Sequence, residues 1–352
     1  MEKIHVSASK RYDVLIEEGL LSQAGGLIGK SKAPDRVLIV SDETVAELYL
    51  AQAKGAFVAA GIQVETFVFK PGEQSKTMVT VTRILELLGD LGFTRKDMIV
   101  ALGGGIPGDI SGFAASCYLR GIRFMQIPTT LLAAVDSSVG GKTGVNLGAG
   151  KNLAGAFWQP SLVVCDPEVF KTLSWDIFLD GLGESIKYAM LMDPGLFLRL
   201  EAGMDRLPED SELVKDIILS GVSIKARIVE EDERDTDVRQ LLNFGHTFGH
   251  AIEKASKYSI SHGKAVAMGM DLMTKAAAEK KICPPSVYDK LHNLLLSYGY
   301  RLDCPYSREE LLEYAARDKK RSGDRMNIVV PLAIGECRIL NIEASQLGEY
   351  YI

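Results

Sequence analysis

The sequence predicts an α/β amino-terminal domain with a mostly parallel sheet over residues 1–173, followed by a mainly α-helical domain over residues 174–352. The first half alternates short apolar runs with helical patterns, which is typical of a parallel sheet flanked by helices. In the second half, long helical patterns follow one another. A chain of 352 residues is also long enough to form two hydrophobic cores.

Each predicted element rests on its own run of residues. Strands are expected where apolar runs have strand character, at 12–16, 37–41, 63–69, 98–102, 123–127 and 161–165. Helices are expected between these runs, for instance at 43–60 and 75–89. In the second domain, helical periodicity predicts helices at 174–192, 211–232, 238–257, 264–280, 286–297 and 308–319. A late apolar pair, 326–331 and 337–342, predicts a small hairpin.

Composition and charge exclude several classes of protein. The net charge of −6 argues against a general nucleic-acid-binding surface. No apolar run approaches the length of a membrane span, and the N-terminus lacks the apolar core of a secretory signal. The five cysteines are widely spaced without a CxxC pair, which is typical of reduced thiols in the cytoplasm. We therefore expect a cytoplasmic protein with no nucleic-acid or membrane partner, in which Cys117 and Cys165 are buried.

A glycine-rich turn follows the predicted strand 98–102 and precedes a helix that starts near Ile110. Its spacing fits the GxGxxG pattern, in which bare backbone N–H groups at a helix N-terminus approach a pyrophosphate. The pattern alone is weak because glycine turns are common after strands, but the strand before it and the helix after it strengthen it. The sequence therefore predicts a Rossmann-like dinucleotide site, with the candidate residues Gly103, Gly104, Gly105, Gly108 and Asp109.

The acidic residue expected to bind the ribose lies in an unusual place. In the common dinucleotide fold it follows the glycines by about twenty residues. Here the best candidate, Asp42, ends the earlier strand 37–41, and it fits the N-cap of the following helix equally well. The two roles are compatible. Glu73 and Lys76 follow another strand end, where ligands collect in open sheets.

Residues 128–155 are dense in Gly, Ser, Thr, Asn and Lys, which argues against a packed helix. We predict a loop and hairpin that present polar groups to a phosphorylated or carboxylated ligand. The alternative is a flexible surface loop, and the spacing of the charged groups does not decide between the two. Thr129 and Thr130 are expected to meet the dinucleotide. The groups presented to the ligand are expected to be Asp136, Lys142, Asn146, Lys151 and Asn152.

A polar stripe marks the predicted helix 238–257, whose other side chains are largely apolar. Its members recur at spacings of four, three, four and three residues, so a helix would place them on one face. A metal ion or an anionic ligand would satisfy such a stripe on a half-buried helix. The alternative is a solvated face, although exposed faces favour Lys and Glu over Asn and His. The stripe consists of Arg239, Asn243, His246, His250 and Glu253.

Glu184 and Lys187 lie one turn apart in the apolar segment GLGESIKYAM, which predicts a buried helix. A plain ion pair is one interpretation. The other takes Glu184 as the carboxylate ligand of a zinc-type site whose two remaining protein ligands are histidines. His246, His250 and His262 are all candidates, and spacing alone does not select two of them. The segment HTFGH lacks the glutamate of HExxH, which excludes a metalloprotease.

Several long motifs together resemble the 3-dehydroquinate synthase family of the sugar phosphate cyclases. They occur in family order and cover roughly residues 36–332. The matching segments are GGGIPGD, YLRGIRFMQIPTTLLAAVDSSVGGKTGVN, GKNLAGAFWQP, GLGESIKYAM, LLNFGHTFGHAIE and HGKAVAMGM. The resemblance implies a homodimer that binds NAD, carries zinc or cobalt, and acts on a small sugar phosphate.

The resemblance also implies roles for matching residues. As metal ligands it implies Glu184, His246 and His262, and it places His250 towards the substrate as a proton relay. As substrate-binding residues it implies Asp136, Lys142, Asn152, Lys187, Lys225, Arg239, Asn243 and either Lys319 or Lys320. Arg120 corresponds to an arginine that reaches the substrate phosphate across the dimer interface. As cofactor-binding residues it implies Asp42, Glu73, Lys76, Gly103, Gly104, Gly105, Gly108, Asp109, Thr129, Thr130, Lys142, Lys151 and Thr172.

The implied reaction converts 3-deoxy-arabino-heptulosonate 7-phosphate to 3-dehydroquinate and phosphate, a lyase step of the shikimate pathway of aromatic amino acid biosynthesis. It proceeds by transient oxidation by NAD, β-elimination of phosphate, re-reduction and intramolecular aldol cyclisation. The alternatives are another sugar phosphate cyclase or a metal-dependent polyol dehydrogenase of the same architecture, and a non-catalytic binding protein. Three residues depart from the usual family pattern, namely Pro107, Asp235 and Asp237.

Overall fold

The structure of the chain, a computed structural model, describes residues 1–29, 33–319 and 325–351, without the side chains of residues 316–319. It divides into two compact units. Unit 1 comprises Met1–Leu173 and Lys225–Arg234, and unit 2 comprises Ser174–Ile224 and Asp235–Ile352. The chain therefore enters unit 2 at Ser174 and returns once, for ten residues, to unit 1.

The described part of unit 1 contains nine strands. They are β1 (Glu2–Ser7), β2 (Arg11–Ile16), β3 (Arg36–Asp42), β4 (Gln63–Phe69), β5 (Met98–Gly103), β6 (Arg123–Pro128), β7 (Lys142–Leu147), β8 (Gly150–Phe157) and β9 (Leu162–Cys165). Seven of them form one sheet in the order β1-β2-β9-β6-β5-β3-β4. Every neighbouring pair in it is parallel except β1 and β2. This confirms the predicted mostly parallel sheet.

The six predicted strands are all present, with bounds within one residue of those expected. Strand β1 was not predicted. Its residues, EKIHVS, are mostly exposed, and only Val6 is buried. An edge strand of this kind lacks the continuous apolar run that marks a buried parallel strand.

Short helical segments connect the strands of unit 1. The α-helices are α1 (Ala24–Leu27), α2 (Glu43–Val45), α3 (Ala51–Ala59), α4 (Met78–Asp90) and α5 (Gly105–Cys117). In the described part of unit 1, two segments are π-helical, Ala46–Leu50 and Ala133–Ser137. Four described segments are 3₁₀-helical, Leu20–Gln23, Glu73–Ser75, Tyr118–Arg120 and Pro167–Thr172. The helices and the sheet share one hydrophobic core. It includes Ile84 and Leu88 on α4, Ile110 on α5 and Ile99 on β5.

The expectation for residues 128–155 was correct in one part and wrong in another. Strands β7 and β8 form the predicted antiparallel hairpin. However, the π-helical segment Ala133–Ser137 is packed, with Ala133, Ala134 and Val135 buried. Alanine has the highest helix propensity, so a segment rich in small residues is still able to form a packed helix.

Unit 2 is mainly helical, which confirms the predicted class. Its α-helices are α6 (Trp175–Met192), α7 (Pro194–Ala202), α8 (Ser211–Glu231), α9 (His246–Ala255), α10 (His262–Glu279), α11 (Pro285–Ser297) and α12 (Arg308–Lys319). The last residues of α8 belong to unit 1. Strands β10 (Arg325–Ala333) and β11 (Glu336–Glu343) form the predicted hairpin. Shorter 3₁₀ segments are Met204–Arg206, Val238–Asn243 and Ala344–Tyr350.

The single helix predicted over 238–257 is wrong. A 3₁₀ helix ends at Asn243, Gly245 adopts φ of +77°, and α9 starts at His246. A Cβ on Gly245 would lie 2.5 Å from the side chain of Met270, so this residue must be glycine for the chain to turn here. The five polar residues of the stripe therefore do not share one helix face.

The cysteines and the helices test the predictions about thiols and membrane spans. All five cysteines are free thiols. Cys165 is buried as expected, but Cys117 is exposed at the end of α5, so the expectation for Cys117 is wrong. Helical periodicity does not determine which side chains are buried in the last turn of a helix, because the end of a helix often departs from α-helical geometry. Among the residues that the structure describes, no helix combines the length and apolar character needed to cross a membrane.

Candidate functional site

Three side chains of unit 2 form a cluster with the chemistry of a metal site. Glu184, His246 and His262 offer ligand atoms that all lie within 4.8 Å of one another. Oε1 of Glu184 is 3.5 Å from Nε2 of His246 and 3.5 Å from Nε2 of His262. The carboxylate is fully buried. One carboxylate and two imidazoles with room for a further ligand are the donor set of a catalytic zinc site.

Close backbone packing brings these three residues together from three helices. Glu184 lies on α6, while His246 and His262 are the first residues of α9 and α10. A Cβ on Gly263 would lie 1.8 Å from the carbonyl oxygen of Asp180 on α6. A Cβ on Gly269 would lie 2.0 Å from the carbonyl oxygen of Gly245, which precedes α9. Only glycine permits such approaches, so glycines set the separation of the ligand-bearing helices.

Hydrogen bonds orient both imidazole rings towards Glu184. Nδ1 of His246 is 3.1 Å from the carbonyl oxygen of Phe244, and Nδ1 of His262 is 3.2 Å from Oε2 of Glu253. A carbonyl or carboxylate oxygen accepts, so Nδ1 donates in both rings and Nε2 remains for the ligand. The donor set therefore has the tautomers that a metal requires.

A second cluster overlaps the first. His250, Glu253 and His262 also have ligand atoms within 4.8 Å of one another. The rings of His246, His250 and His262 are close, with centroids 5.2 to 5.9 Å apart. The first cluster has the spacing of a tetrahedral site, because two ligands about 2.0–2.1 Å from the ion lie about 3.4 Å apart. Its two Nε2–Oε1 distances of 3.5 Å match that value.

Charges around the cluster act differently on the two histidines. Burial, followed by the nearby Lys187, lowers the pKa of His246 well below its usual range. Burial alone would also lower the pKa of His262, but hydrogen bonds with Glu184 and Glu253 raise it to about 10. Lys187 is buried and forms an ion pair with Glu184. Two carboxylates around His262 favour a cation at Nε2, whether a proton or a metal ion.

The other predicted residues of unit 2 lie at different depths. Arg239 is buried on the 3₁₀ helix, whereas Asn243 and His250 are exposed. Lys319 is the last residue of α12, and its side chain is outside the described part. Lys320 lies outside the described residues.

The glycine-rich turn of unit 1 lies between a strand and a helix as predicted, but the helix begins at Gly105 and not near Ile110, because Gly105–Asp109 form its first turns. Strand β5 ends at Gly103, Gly104 is the N-cap, and α5 starts at Gly105 without a side-chain cap in the described structure. A Cβ on Gly108 would lie 2.6 Å from Oε1 of Gln126, so the helix packs directly on β6. The first N–H groups of α5 have no intrahelical acceptor, and this is the arrangement that binds phosphate.

Pro107, which departs from the family pattern, fits this turn. It lies in the first turn of α5, where the missing N–H removes no helical hydrogen bond. A Cβ on Gly103, whose φ is +153°, would lie 2.5 Å from the Pro107 ring. Asp235 also fits its position, since its φ of +61° is a left-handed conformation in which Asp is enriched.

Two predicted residues of unit 1 contact the ammonium of Lys76, and two more are hydrogen-bonded beside them. Nζ of Lys76 donates to Oδ2 of Asp109 at 2.5 Å and to Oδ1 of Asn152 at 2.6 Å. Asn146 joins the cluster, because its side-chain amide donates to Glu73 at 2.7 Å and its Oδ1 accepts from the backbone of Asn152. Burial raises the pKa of Asp109, and the charge of Lys76 opposes that rise.

Asp136 and Lys225 also meet within unit 1. Nζ of Lys225 donates to the carbonyl oxygen of Asp136 at 2.6 Å and to its Oδ1 at 2.7 Å. Lys142 is exposed on β7, and Lys151 is half-buried on β8. The structure thus joins an acidic residue of the π-helical segment to a lysine of α8.

The remaining cofactor candidates have structural partners of their own. The N-cap interpretation of Asp42 is confirmed, since its carboxylate accepts from the backbone of Val45 at 3.0 Å. The hydroxyl of Thr172 lies 2.6 Å from that of Tyr49. Thr129 is buried, and its hydroxyl has no hydrogen-bond partner in the described structure. Thr130 accepts from the backbone of Ala133. Their contacts with a nucleotide stay predictions.

Arg120 lies on a strained turn. Leu119 and Arg120 have φ of +49° and +64°, and both side chains are exposed. Non-glycine residues adopt this conformation rarely, and such strain clusters at functional positions.

Two residues near the metal cluster were not assigned a role from the sequence. Asp180 accepts from the backbone N–H of Gly263 at 2.6 Å, which secures the start of α10. Glu253 was placed on the polar stripe, but its contact with His262 depends on the turn between α9 and α10. Helical spacing within one element gives no signal for such a contact.

Comparison with known proteins identifies the family. The sequence profile of the 3-dehydroquinate synthase N-terminal domain matches residues 66–180, and that of the C-terminal domain matches residues 181–321. The chain belongs to the 3-dehydroquinate synthase family. This confirms the resemblance seen in the motifs, and members of the 3-dehydroquinate synthase family are lyases.

Individual relatives of the 3-dehydroquinate synthase family agree with this assignment. A 3-dehydroquinate synthase of Streptococcus sanguinis (strain SK36) is 42% identical over 342 residues, which is 96% of each chain. A structure of 2-deoxy-scyllo-inosose synthase complexed with carbaglucose-6-phosphate, NAD⁺ and Co²⁺ is 27% identical, with a TM-score of 0.88 over 99% of this chain and 98% of that one. A 2-epi-5-epi-valiolone synthase from Streptomyces hygroscopicus subsp. jinggangensis 5008, with NAD⁺ and Zn²⁺ bound, has the same identity and TM-score over 98% and 97%.

Proposed function

We propose that this chain is a 3-dehydroquinate synthase, which converts 3-deoxy-arabino-heptulosonate 7-phosphate to 3-dehydroquinate and inorganic phosphate with NAD and zinc. The observation that carries the proposal is the Glu184, His246 and His262 cluster, within a chain that matches both family domains. We infer zinc because a carboxylate and two imidazoles suit it, and cobalt accepts a similar donor set. We place the enzyme in the cytoplasm because its five cysteines are free thiols.

Bound NAD and metal would supply transient hydride acceptance and polarisation of the substrate hydroxyl groups. The chain would hold them with residues already described. Glu184, His246 and His262 would bind the metal, and Lys187 neutralises the buried carboxylate of Glu184. The start of α5 would bind the cofactor pyrophosphate through backbone N–H groups, which the glycines leave accessible.

Polar side chains would bind the substrate and move its protons. In unit 1, Lys142 and Asn152 carry donors for an anionic group. In unit 2, Lys187, Arg239 and Asn243 carry such donors. The Lys225 ammonium holds Asp136 in place. His250 has an exposed ring near His246, which suits a proton relay at the substrate. The leaving phosphate is itself a base, so few protein bases are needed.

We also propose a homodimer in which Arg120 contributes to the partner's substrate site. Three observations support it. The side chain of Arg120 is exposed, its backbone is held in a left-handed conformation, and Leu119 beside it is a large apolar residue that is 41% exposed. A strained turn that presents an apolar and a cationic side chain fits a contact with another chain.

Identification of the product tests the proposed function. The purified protein is incubated with the heptulosonate phosphate, NAD and zinc, and phosphate release and product structure are followed. We expect equal amounts of phosphate and of the carbocycle 3-dehydroquinate. Phosphate release from a hexose 6-phosphate, with none from the heptulosonate phosphate, would instead assign the chain to another sugar phosphate cyclase.

A further inference from the structure

One imidazole of the metal cluster is held by carboxylates on both of its nitrogen atoms. Nε2 of His262 lies 3.5 Å from Oε1 of Glu184 on α6, and Nδ1 lies 3.2 Å from Oε2 of Glu253 on α9. Glu253 is 7% exposed, so its carboxylate is buried beside the ring. His246 differs, because its Nδ1 faces the neutral carbonyl of Phe244.

The contact with Glu253 has two consequences for His262. A carboxylate that accepts from Nδ1–H fixes the tautomer and the ring plane, so the lone pair of Nε2 points towards Glu184. The negative charge also makes the imidazole a stronger electron donor than a ring bonded to a carbonyl group. His262 is the first residue of α10, where the helix itself provides little constraint on its side chain.

We propose that Glu253 is a positioning residue that orients His262 for metal binding and strengthens its bond to the metal. This inference rests on the proposed metal site of Glu184, His246 and His262. Glu253 does not itself bind the metal in this arrangement, because the ring of His262 lies between its carboxylate and that of Glu184.

The alternative is that Glu253 ligates a second ion with His250 and His262. Such an ion would need either Nε2 of His262, which the first site uses, or Nδ1, which would make the imidazole a bridge between two dications. Removal of both ring protons and repulsion between two adjacent dications oppose that arrangement. The geometry therefore favours Glu253 as a hydrogen-bond acceptor.

Titration of the metal-free full-length protein with Co²⁺ tests the proposal, with affinity and the visible ligand-field spectrum as readouts. Glu253→Met keeps the length of the side chain but loses the acceptor, and we expect affinity to fall by about 10–100-fold. Glu253→Gln keeps an acceptor and loses the charge, so its affinity should lie between those of the parent protein and the Met variant. The ligand-field bands should shift in both variants, because the donor strength of His262 changes.

Asp271→Asn is the matched control. Asp271 is a buried carboxylate on α10 that lies 2.8 Å from Nδ1 of His292, so it makes the same kind of contact away from the cluster. This variant should bind Co²⁺ with the affinity and spectrum of the parent protein. Circular dichroism shows which variants are folded, and if the Met variant is unfolded the Gln variant decides.

Three outcomes would overturn the proposal. The first is unchanged Co²⁺ affinity and spectrum in the folded Glu253 variants. The second is a loss of Co²⁺ affinity in Asp271→Asn equal to that in Glu253→Gln. The third is binding of two Co²⁺ ions per parent chain. Failure of the proposed function looks different. A parent protein that binds one Co²⁺ but forms no 3-dehydroquinate would refute the function and leave the role of Glu253 standing.

Discussion

His246 and His250 are one helical turn apart on α9, yet the structure predicts different roles for them. His246 is half-buried, with Nε2 3.5 Å from Glu184 and Nδ1 fixed by Phe244. His250 is exposed and belongs to the second cluster. Spacing along the sequence left open which two of the three histidines bind metal. The contacts of both Nε2 atoms with Oε1 of Glu184 support the proposal that His246 and His262 bind the metal.

Alanine substitution of each histidine separates the two roles. His250→Ala should retain a bound metal and lose most of its turnover, since proton transfer by a positioned residue contributes about 10²–10⁴-fold. His246→Ala should lose metal affinity by more than about 100-fold, because a ligand contributes more than its outer-shell partners. Metal content by atomic spectroscopy and turnover are measured together. Loss of metal from His250→Ala would transfer the ligand role to His250.

The ammonium of Lys76 binds side chains from two other elements of unit 1. It lies beside Asp109 on α5 and Asn152 on β8, and Lys76 is 6% exposed. Burial raises the pKa of Asp109, which means that the ionised carboxylate costs folding free energy as pH rises above the unfolded pKa. Lys76 reduces that cost.

Replacement of Lys76 by Met should therefore destabilise the protein in a pH-dependent way. We expect a loss of about 3 kcal/mol at pH 8, since an unpaired buried charge remains, and a smaller loss at about pH 5. Urea denaturation of the metal-free protein at both values measures it. The double variant Lys76→Met with Asp109→Asn should recover part of the lost free energy of unfolding. A loss that is the same at both pH values and is not recovered in the double variant would contradict this account.

Among the helices, glycines set how closely the backbones that carry the metal cluster approach one another. The carbonyl oxygen of Asp180 on α6 occupies the space that a Cβ on Gly263 would fill, so α6 and α10 touch through their backbones. Glu184 and His262 lie within one turn of this contact. A change that separates the helices would therefore separate the ligands.

Gly263→Ala should lower both stability and metal affinity. The added Cβ meets backbone at 1.8 Å, so the helices must move, at a cost of about 3 kcal/mol. Gly89→Ala on α4 is the control, because a Cβ there meets nothing within 4 Å and removes chain entropy from the unfolded state. Urea denaturation should show the control unchanged or more stable by up to about 1 kcal/mol. Equal behaviour of the two variants would contradict the packing argument.

The sequence predicted the elements that leave a strong pattern. Buried strands such as β5 are continuous apolar runs, and long helices such as α6 show clear periodicity. It did not predict β1, whose side chains are mostly exposed, or α7, which follows α6 after a single residue. The helical spacing of polar residues also continues through Gly245, where the structure breaks the helix. Such spacing does not show the backbone conformation that ends a helix.

Residue types and motifs predicted the candidate site better than spacing did. The glycine turn was located because strand, turn and helix are adjacent in the chain. The metal cluster joins α6, α9 and α10, so its assembly depends on packing between elements that are distant in sequence. The contact of Glu253 with His262 has the same origin. Only the resemblance to a family selected one ligand set from the sequence, and that selection stays a prediction.

For the whole molecule, the proposed homodimer makes a prediction about how active sites are shared. If Arg120 acts in the partner's site, a protomer with Arg120→Ala and a protomer with His246→Ala complement each other. The mixed dimer then has one complete site and one that lacks both residues. Random reassociation of the two inactive variants should restore about a quarter of the parent activity, since half of the dimers are mixed.

Activity is measured after the two variants have exchanged subunits in mild denaturant and refolded. The parent protein treated in the same way is the reference. No recovered activity, with mixed dimers present by mass spectrometry, would show that Arg120 acts within its own chain or elsewhere.

Redox neutrality is the most direct consequence of the proposed reaction. Cofactor-free protein is loaded with one NAD per chain and given a large excess of the heptulosonate phosphate with zinc. The account predicts phosphate in large excess over NAD, with the NAD recovered in its oxidised form, because each hydride returns to the same substrate molecule. Oxidised product that stops at one per NAD, with NADH accumulated and phosphate retained on the substrate, would contradict it and indicate a polyol dehydrogenase.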